Sequence, residues 1–581
     1  MGSIYFTYLI GGEAGMGVAA SGRMLAKTFT RGGYYVFGMI DYPSLIRGGH
    51  NFYHATVSDE RIWSLHYNVD LIIALNKDTL DRHLSKLKKK GSIIVDSDIK
   101  YDKSALERQG ARVFEIPLTG IVKELGALTV VRNSVALGAS MALIDFDLEV
   151  LLSVIRKELG KRKEIAEINV EAAKRGYSFV VEQYGKGVQC TIRPRSDNGH
   201  LVITGNEAVA LGGLRAGMKT YFAYPMTPAS PVLHFLANVQ FDFDVVVVQP
   251  ENEIAVINMA IGAWYAGSRS MVATSGGGFA LMTEAIGQAA MTEIPVVVVL
   301  AQRSGPSTGM PTYTAQGDLR FALHASQGEF PRFVIAPGDA EEAFYLTVRA
   351  FNLAEKFQVP VIILTDKHLA ESHLTVPAFD LKKAKVERGK IIVGKYEGSE
   401  EYRRYKITDD GISPMAFPGT LNAIVKVNSS EHNEYGFATA DAKNAEIMAK
   451  KRLRKLELMQ EEVENCEESV KVYGDERSPI AIIGWGSTKG AILEALKILE
   501  AKGVNVKFVQ VVFLSPFPTR RLQTILKDVR ELLLVENNVT GQLGSLLREH
   551  LLRAPDEYLL KFNGRPFYPH EVVSKVLEVV K

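Results

Sequence analysis

Ile294-Pro295-Val296-Val297-Val298-Val299-Leu300-Ala301-Gln302 carries no polar residue from Val296 to Ala301. A strand with one wet face alternates apolar and polar side chains. A strand apolar at every position is buried on both faces, as in a parallel sheet flanked by helices. Val245–Val248 and Pro360–Leu364 read the same way, and helix-period stretches lie between them. On the N-terminal side, the run Ile4–Ile10 leads into Gly11-Gly12-Glu13-Ala14-Gly15-Met16-Gly17 and then a helix-period stretch, Val18–Thr30. Further strands are predicted at Val69–Leu75, Ser92–Val95 and Ala111–Ile116, and Lys86–Lys90 reads as a solvated helix end. On the C-terminal side, Ile480–Ser487 opens a third unit of this kind, with another strand at Glu531–Leu534. The predicted fold class is α/β, with several doubly wound parallel-sheet domains. The polar stretch Arg193–Gly199 reads as a linker, and residues 377 to about 440 read as irregular. Ala442–Glu468 reads as a charged helix that bridges domains. The expected divisions are 1–190, 191–376, a linker with a charged helix over 377–476, and 477–581.

The chain has 581 residues, enough for three or four domains of about 100–200 residues each. Its 68 Lys+Arg against 66 Asp+Glu, with no long basic run, argue against nucleic acid or an anionic membrane as partner. The longest apolar stretch, Ile294–Ala301, falls short of the ~18 residues of a membrane span. Met1–Ile10 carries no Lys or Arg, unlike a secretory signal, so a cytoplasmic protein is expected. Its only cysteines, Cys190 and Cys466, stand alone, which excludes a disulfide framework, a zinc ribbon and a cysteine-ligated iron–sulfur cluster within this chain.

Several loops carry residues suited to chemistry. Gly12, Gly15 and Gly17 do not have the dinucleotide-fingerprint spacing; the turn is either a phosphate cradle at a helix N-terminus or a tight turn without a ligand. Arg47, in Ser44–Asn51, is either an anion contact or part of a surface loop. In Tyr224-Pro225-Met226-Thr227-Pro228-Ala229-Ser230-Pro231, three prolines brace one threonine at the end of a short strand, Thr220–Ala223. Thr227 is thus either a rigid ligand contact at the carboxyl edge of the sheet or an incidental residue in a stiff turn. Gln249-Pro250-Glu251-Asn252-Glu253 opens a helix, where acids suit the dipole. Glu253 also falls near the apolar face, with Ile257 at i+4; a partly buried carboxylate needs a partner, and a cofactor ring nitrogen sharing a proton is a good one. Thr274-Ser275-Gly276-Gly277-Gly278-Phe279 sits ahead of a helix predicted over Ala280–Ala290. Gln302-Arg303-Ser304-Gly305 follows the opening strand, and Arg303 is either a clamp for a substrate carboxylate or half of a structural ion pair. In a parallel sheet these four loops leave from one edge, and their convergence weighs more than any one of them.

Together these motifs resemble the α subunit of the 2-oxoacid:ferredoxin oxidoreductases with a γ subunit fused ahead of it. Tyr224-Pro225-Met226-Thr227-Pro228 is similar to that family's Y-P-I-T-P loop, with Met for Ile. Glu251–Gly267, the Thr-Ser-Gly-Gly-Gly-Phe loop, Gln302–Thr312, Thr408–Pro414 and Glu431–Gly436 follow in the family's order. The N-terminal Gly turn with Arg47-Gly48-Gly49 resembles the γ domain, and Glu536–Gln542 resembles the transketolase-C-like domain. The resemblance implies coenzyme A-dependent oxidative decarboxylation of a 2-oxoacid on thiamine diphosphate, with electrons passing through an iron–sulfur cluster to ferredoxin. Its fused form points to 2-oxoglutarate and succinyl-CoA, with pyruvate or branched 2-oxoacids as alternatives.

By the same resemblance, Glu253 holds the aminopyrimidine nitrogen, Thr227 and Arg303 meet the substrate, and Tyr224, Pro225, Ser275 and Gly276 line the cofactor. Gly12, Gly15, Gly17 and Arg47 mark the coenzyme A region. No Gly-Asp-Gly occurs in the chain. A β-type partner is therefore expected to hold the diphosphate with Mg2+ and a [4Fe-4S] cluster, in a dimer of α–β heterodimers. Met415 stands where the family often has Arg, which bears on side-chain preference. A scaffold of the same fold without turnover, or a nicotinamide-dependent dehydrogenase, are the competing readings.

Overall fold

The computed structural model describes residues 4–44, 48–196 and 199–580. The chain divides into two compact units, Met1–Thr204 with Glu371–Ala378, and Gly205–Ala370 with Phe379–Lys581.

The first unit is built on an eight-stranded mixed sheet. Its parallel half runs Arg112–Ile116, Leu87–Asp96, Val69–Ala74, Tyr5–Glu13. From Tyr5–Glu13 the sheet continues antiparallel through His50–Ser58, Tyr35–Asp41, His373–Val376 and Leu201–Thr204. The α/β class with a parallel-stranded half is as expected, and an antiparallel half is added to it in this sheet. Of Lys86–Lys90, Lys86 ends the short helix Leu84–Lys86, whereas Lys88–Lys90 lie in the strand Leu87–Asp96. The strand predicted over residues 4–10 extends to Glu13, so Gly11 and Gly12 pair with Phe52 and Asn51. The sequence division at 191–376 also shifts. Leu201–Thr204 and His373–Val376 pair with each other and belong to the first sheet. The linker expected at 193–199 is tied to this unit as far as Arg195. Tyr34 Oη donates to the Arg193 carbonyl at 2.8 Å, and Arg195 N to the Gly32 carbonyl at 2.8 Å.

The second unit holds two sheets. The larger, in spatial order, is Phe513–Ser515, Phe333–Ile335, Pro360–Asp366, Val296–Gln302, Ser270–Thr274, Thr220–Phe222, Val246–Val248. Every neighbour pair is parallel except that of Phe513–Ser515. Val296–Gln302 and Pro360–Asp366 are buried at every position, as their sequences predict. Val246–Val248 is not, because it is the edge strand, and Val246 is 58% exposed. The smaller sheet is Val470–Gly474, Lys507–Val511, Ile480–Gly484, Glu531–Glu536, Glu557–Leu560, parallel except for its first strand.

Between Val376 and Ala442 the described residues contain no helix or strand. Buried charges hold this segment down. Glu355 accepts from Arg269 Nε at 3.1 Å, Arg388 Nε at 2.7 Å and Gly389 N at 2.9 Å. The charged helix runs Ala442–Glu464, opened by Asp441 accepting from Asn444 N at 2.7 Å. It is no bare strut, since Met448, Lys451, Lys455, Met459 and Val463 are buried. No helix among the described residues is long and apolar enough to cross a membrane.

Candidate active site

Parallel strands send their carboxyl ends to one edge, where side chains from several loops meet. Thr220–Phe222, Val246–Val248, Ser270–Thr274 and Val296–Gln302 are parallel and contiguous, so the four loops singled out from sequence leave from the same edge.

Glu253 is the first residue of the helix Glu253–Tyr265, capped by Asn252, whose Oδ1 accepts from Ala255 N at 3.0 Å. Capping is thus Asn252's work. The Glu253 side chain is buried, 3% exposed, and its Oε1 has no hydrogen-bond partner. It turns toward the next loop. A Cβ on Gly278 would stand 2.4 Å from Glu253 Oε1 and 2.1 Å from Thr274 Oγ1, so only glycine fits there. The helix predicted from Ala280 starts at Gly276, which puts the three glycines in its first turn. Ser275 precedes that turn without capping it, and its buried Oγ also lacks a partner.

The Thr227 loop is fixed from two sides. Asn206 Nδ2 donates to the Pro228 carbonyl at 2.8 Å, and Arg303 Nη1 to the Thr227 carbonyl at 2.8 Å. Arg303 is therefore joined to the threonine loop by a backbone contact. The ion-pair reading finds no carboxylate within 4 Å of it among the described residues. Thr227 and Arg303 are half-buried, while Tyr224 and Pro225 are exposed.

The sequence reading missed Asp318, which lies against Gly276. A Cβ at Gly276 would meet Asp318 Oδ2 at 2.8 Å. Burial pushes this carboxyl up to about 6, against the pull of Arg303. Its only sequence signal was an acid at the start of a short helix, which reads as a cap. Gln302 was also passed over. It is fully buried, with Nε2 donating to the Thr365 carbonyl at 3.0 Å and Oε1 accepting from Asp318 N at 2.9 Å.

Other sequence candidates lie elsewhere. Gly15 and Gly17 take positive φ, +89° and +75°, and Gly17 precedes the helix Val18–Arg31. Gly12 is inside a strand, and Arg47 lies outside the described residues. Gly11 next to it is explained by packing, since a Cβ there would stand 2.5 Å from Thr79 Cγ2. Met415 is buried, its sulfur 3.7 Å from Arg404 Nη2. Glu536–Gln542 fastens the two sheets of the second unit together. Asn537 N donates to Gln316 Oε1 and Asn538 Nδ2 to the Gln316 carbonyl, both at 2.8 Å.

The residues at this edge suit the aminopyrimidine half of thiamine diphosphate. A buried carboxylate oxygen and a buried hydroxyl without partners are the groups that a bound heterocycle with ring nitrogen and amine would satisfy. The family "Pyruvate flavodoxin/ferredoxin oxidoreductase, thiamine diP-bdg" matches residues 212–451. "Pyruvate ferredoxin/flavodoxin oxidoreductase" matches 7–179, and "Pyruvate:ferredoxin oxidoreductase core domain II" matches 479–572. The chain is 35% identical to 2-oxoacid:ferredoxin oxidoreductase 2, subunit alpha, of Aeropyrum pernix, over 99% of this chain and 97% of that one. It is also 35% identical to a 2-oxoacid:ferredoxin oxidoreductase subunit alpha of Saccharolobus solfataricus, over 99% and 98%. Among solved structures, the 2-oxoglutarate:ferredoxin oxidoreductase of Magnetococcus marinus, with 2-oxoglutarate, coenzyme A and succinyl-CoA bound, superposes with a TM-score of 0.90. The match is at 33% identity and covers 99% of this chain and 100% of that one. With the carboxylate, the glycine turn and the braced threonine on one sheet edge, the chain belongs to the 2-oxoacid:ferredoxin oxidoreductases, as one of their alpha subunits.

Proposed function

We propose that this subunit carries the aminopyrimidine side of the active site in a coenzyme A-dependent oxidative decarboxylation, converting 2-oxoglutarate to succinyl-CoA and passing two electrons to ferredoxin. The observation that carries the reading is Glu253, a buried carboxylate with an unpartnered Oε1 packed against the glycine turn. Leaving a buried acceptor unsatisfied costs about 1–3 kcal/mol, a cost that a ligand proton donor removes. When bound, thiamine diphosphate supplies the electron sink for cleavage of the bond to the carboxylate. Glu253 then holds and moves a proton at the ring nitrogen. Ser275 and Gly276 stand at the start of the same glycine turn and would line the cofactor there. Arg303 offers its remaining guanidinium donors to the 2-oxoacid carboxylate, its bond to the Thr227 carbonyl holds the threonine loop beside it, and Thr227 contributes its hydroxyl to the same substrate.

A β-type partner completes the site. Two isolated cysteines cannot ligate a [4Fe-4S] cluster, and the sequence has no Gly-Asp-Gly stretch to hold Mg2+ with the diphosphate. Ile254, Met259 and Leu281 are 50%, 41% and 49% exposed on the helices that carry Glu253 and the glycines. That apolar face beside the site suits a partner subunit in an α–β assembly. In the first unit, the positive-φ turn Gly15–Gly17 at a long helix's N-terminus suits a phosphate of coenzyme A. The choice of 2-oxoglutarate draws on the Magnetococcus marinus relative.

The test is reduction of ferredoxin or a viologen dye by the chain co-expressed with its β-type partner, supplied with coenzyme A and a 2-oxoacid. The expected kcat/KM order places 2-oxoglutarate above pyruvate and branched 2-oxoacids. No reduction with any 2-oxoacid would overturn the reaction, and a preference for pyruvate would overturn only the substrate.

A further inference from the structure

A thioether sulfur is a weak hydrogen-bond acceptor and a poor match for a guanidinium. In the first unit, the sulfur of Met16 nevertheless receives two donors. Glu13 N and Arg132 Nη2 each stand 3.2 Å from it. Arg132 is half-buried, and among the described residues no carboxylate lies within 4 Å of its guanidinium. Asn133, next in the chain, holds the same methionine by its backbone, with Nδ2 donating to the Met16 carbonyl at 2.6 Å. That bond fixes which end of the amide is which. It leaves Asn133 Oδ1 without a partner, in a residue only 5% exposed.

Two helices also start here. Val18–Arg31 follows Gly17, and Arg132–Leu143 begins with the arginine itself. Neither has a side-chain cap or an acid in its first turn. Their first N–H groups therefore keep the partial positive charge that a capping acid offsets. The two starts are pressed together, since a Cβ at Gly17 would lie 2.9 Å from Asn133 Nδ2. On the outer side the turn is open, with nothing within 4 Å of a Cβ at Gly15. The place that the sulfur fills suits an oxyanion better, and Met16 has three side-chain torsions with which to leave it.

We propose that Met16 plugs a binding site for a ribose phosphate ester, the 3′-phosphate end of coenzyme A, which Arg132 and Asn133 recognise. The inference rests on the reading of this turn as a coenzyme A site. A phosphate oxygen replaces the sulfur as acceptor for Glu13 N and Arg132. Asn133 Oδ1 can only accept, so it calls for a donor, and a phosphate dianion has none. In coenzyme A the 2′-hydroxyl stands on the carbon next to the 3′-phosphate and supplies that donor. The diphosphate of the same molecule has no hydroxyl on an adjacent carbon, which is why the 3′ end is assigned here. Oδ1 is closed to water while the plug is in place, and the ligand reaches it once Met16 has swung away.

The experiment is isothermal titration of the full chain, assembled with its β-type partner. The ligands are coenzyme A, 3′-dephospho-coenzyme A, adenosine 3′,5′-bisphosphate and the 2′-deoxy form of that bisphosphate. Coenzyme A is expected to bind about 10- to 100-fold more tightly than its dephospho form, the range of charge-assisted hydrogen bonds. Loss of the 2′-hydroxyl should weaken the bisphosphate about 3- to 10-fold. Arg132→Gln should bring the two coenzymes within about twofold of each other. Met16→Ala should tighten the bisphosphate. Equal binding of coenzyme A and its dephospho form by the wild type overturns the proposal, even if no variant folds. So does an Arg132→Gln chain that keeps the preference, a Met16→Ala chain that binds the bisphosphate less well, or a 2′-deoxy compound as tight as its parent. If the wild type binds neither coenzyme nor bisphosphate, the coenzyme A reading of the turn falls as well.

Discussion

Glu253 and Glu293 are both buried carboxylates in the second unit, 3% and 1% exposed, yet their surroundings are opposite. Glu293 is paired with cations on both oxygens. Its Oε1 meets Lys451 at 2.7 Å, its Oε2 meets Lys455 at 2.5 Å, and its carbonyl accepts from Arg404 at 2.6 Å. Burial alone would raise its carboxyl, but the three cations outweigh burial and hold it well below the usual range. Burial in turn draws Lys455 down to about 8 despite Glu293. Among the described residues no cation pairs with Glu253, and its Oε1 has no partner. A buried acid with its partners in the same chain fastens the irregular segment and the charged helix to the sheet. Burial does not tell the two apart; the lysines beside Glu293 do.

The sharpest way to break this contrast is Glu253→Gln. In the assembled enzyme kcat should fall about 10²- to 10⁴-fold, the range of a lost proton-transfer group. Its melting temperature should stay at the wild-type value, since no internal bond of the Glu253 carboxyl is lost. Full turnover, or a large loss of stability, would put Glu253 in the class of Glu293. Glu293→Gln should do the reverse and leave Lys451 and Lys455 buried without a counter-charge. A loss of about 3–5 kcal/mol in denaturant unfolding is expected, with kcat per folded molecule retained.

Gly278→Ala tests the room beside Glu253. The added methyl would overlap both Glu253 Oε1 and Thr274 Oγ1, so a loss of about 1–3 kcal/mol and a lower kcat should appear together. The smallest effect concerns Glu536, a buried acid of a third kind with neutral donors only. It accepts from Trp485 Nε1 at 2.8 Å and Leu543 N at 3.0 Å, and burial pushes it up to about 7 from 4.5. Between those values the folded state binds more protons than the unfolded one, so its contribution to stability falls as pH rises from 4.5 through 7. Thermal melts of Glu536→Gln should therefore show a flatter pH dependence across that window. An identical slope would show that Glu536 ionises alike in both states.

Much of this was legible in the amino-acid order. Unbroken β-branched runs at 296–300 and 360–364 placed two central strands because double burial leaves no polar position. The same rule failed at 245–248, where a valine run forms an edge strand, since composition does not say which neighbour is missing. The antiparallel half of the first sheet was not legible, because Tyr35–Asp41 and His50–Ser58 carry no pattern of their own that marks pairing direction. That the loops of Thr227, Glu253, Ser275 and Arg303 share one edge was legible because each follows a strand of the parallel sheet. Asp318 was missed because it belongs to no motif of its own, and only the tertiary packing brings it against Gly276.

By itself, then, the sequence determined the local chemistry. It set which loops carry hydroxyl, acid, glycine and guanidinium, and that four thiolates for a cluster are not present. Tertiary structure alone decided how those groups are shared out. Whether a buried oxygen is answered by a lysine 158 residues away, as at Glu293, or left open, as at Glu253, depends on long-range packing. The chain is short-sighted along its own length. Hydrogen bonds and charges act through a few ångströms of space, whatever the distance in sequence.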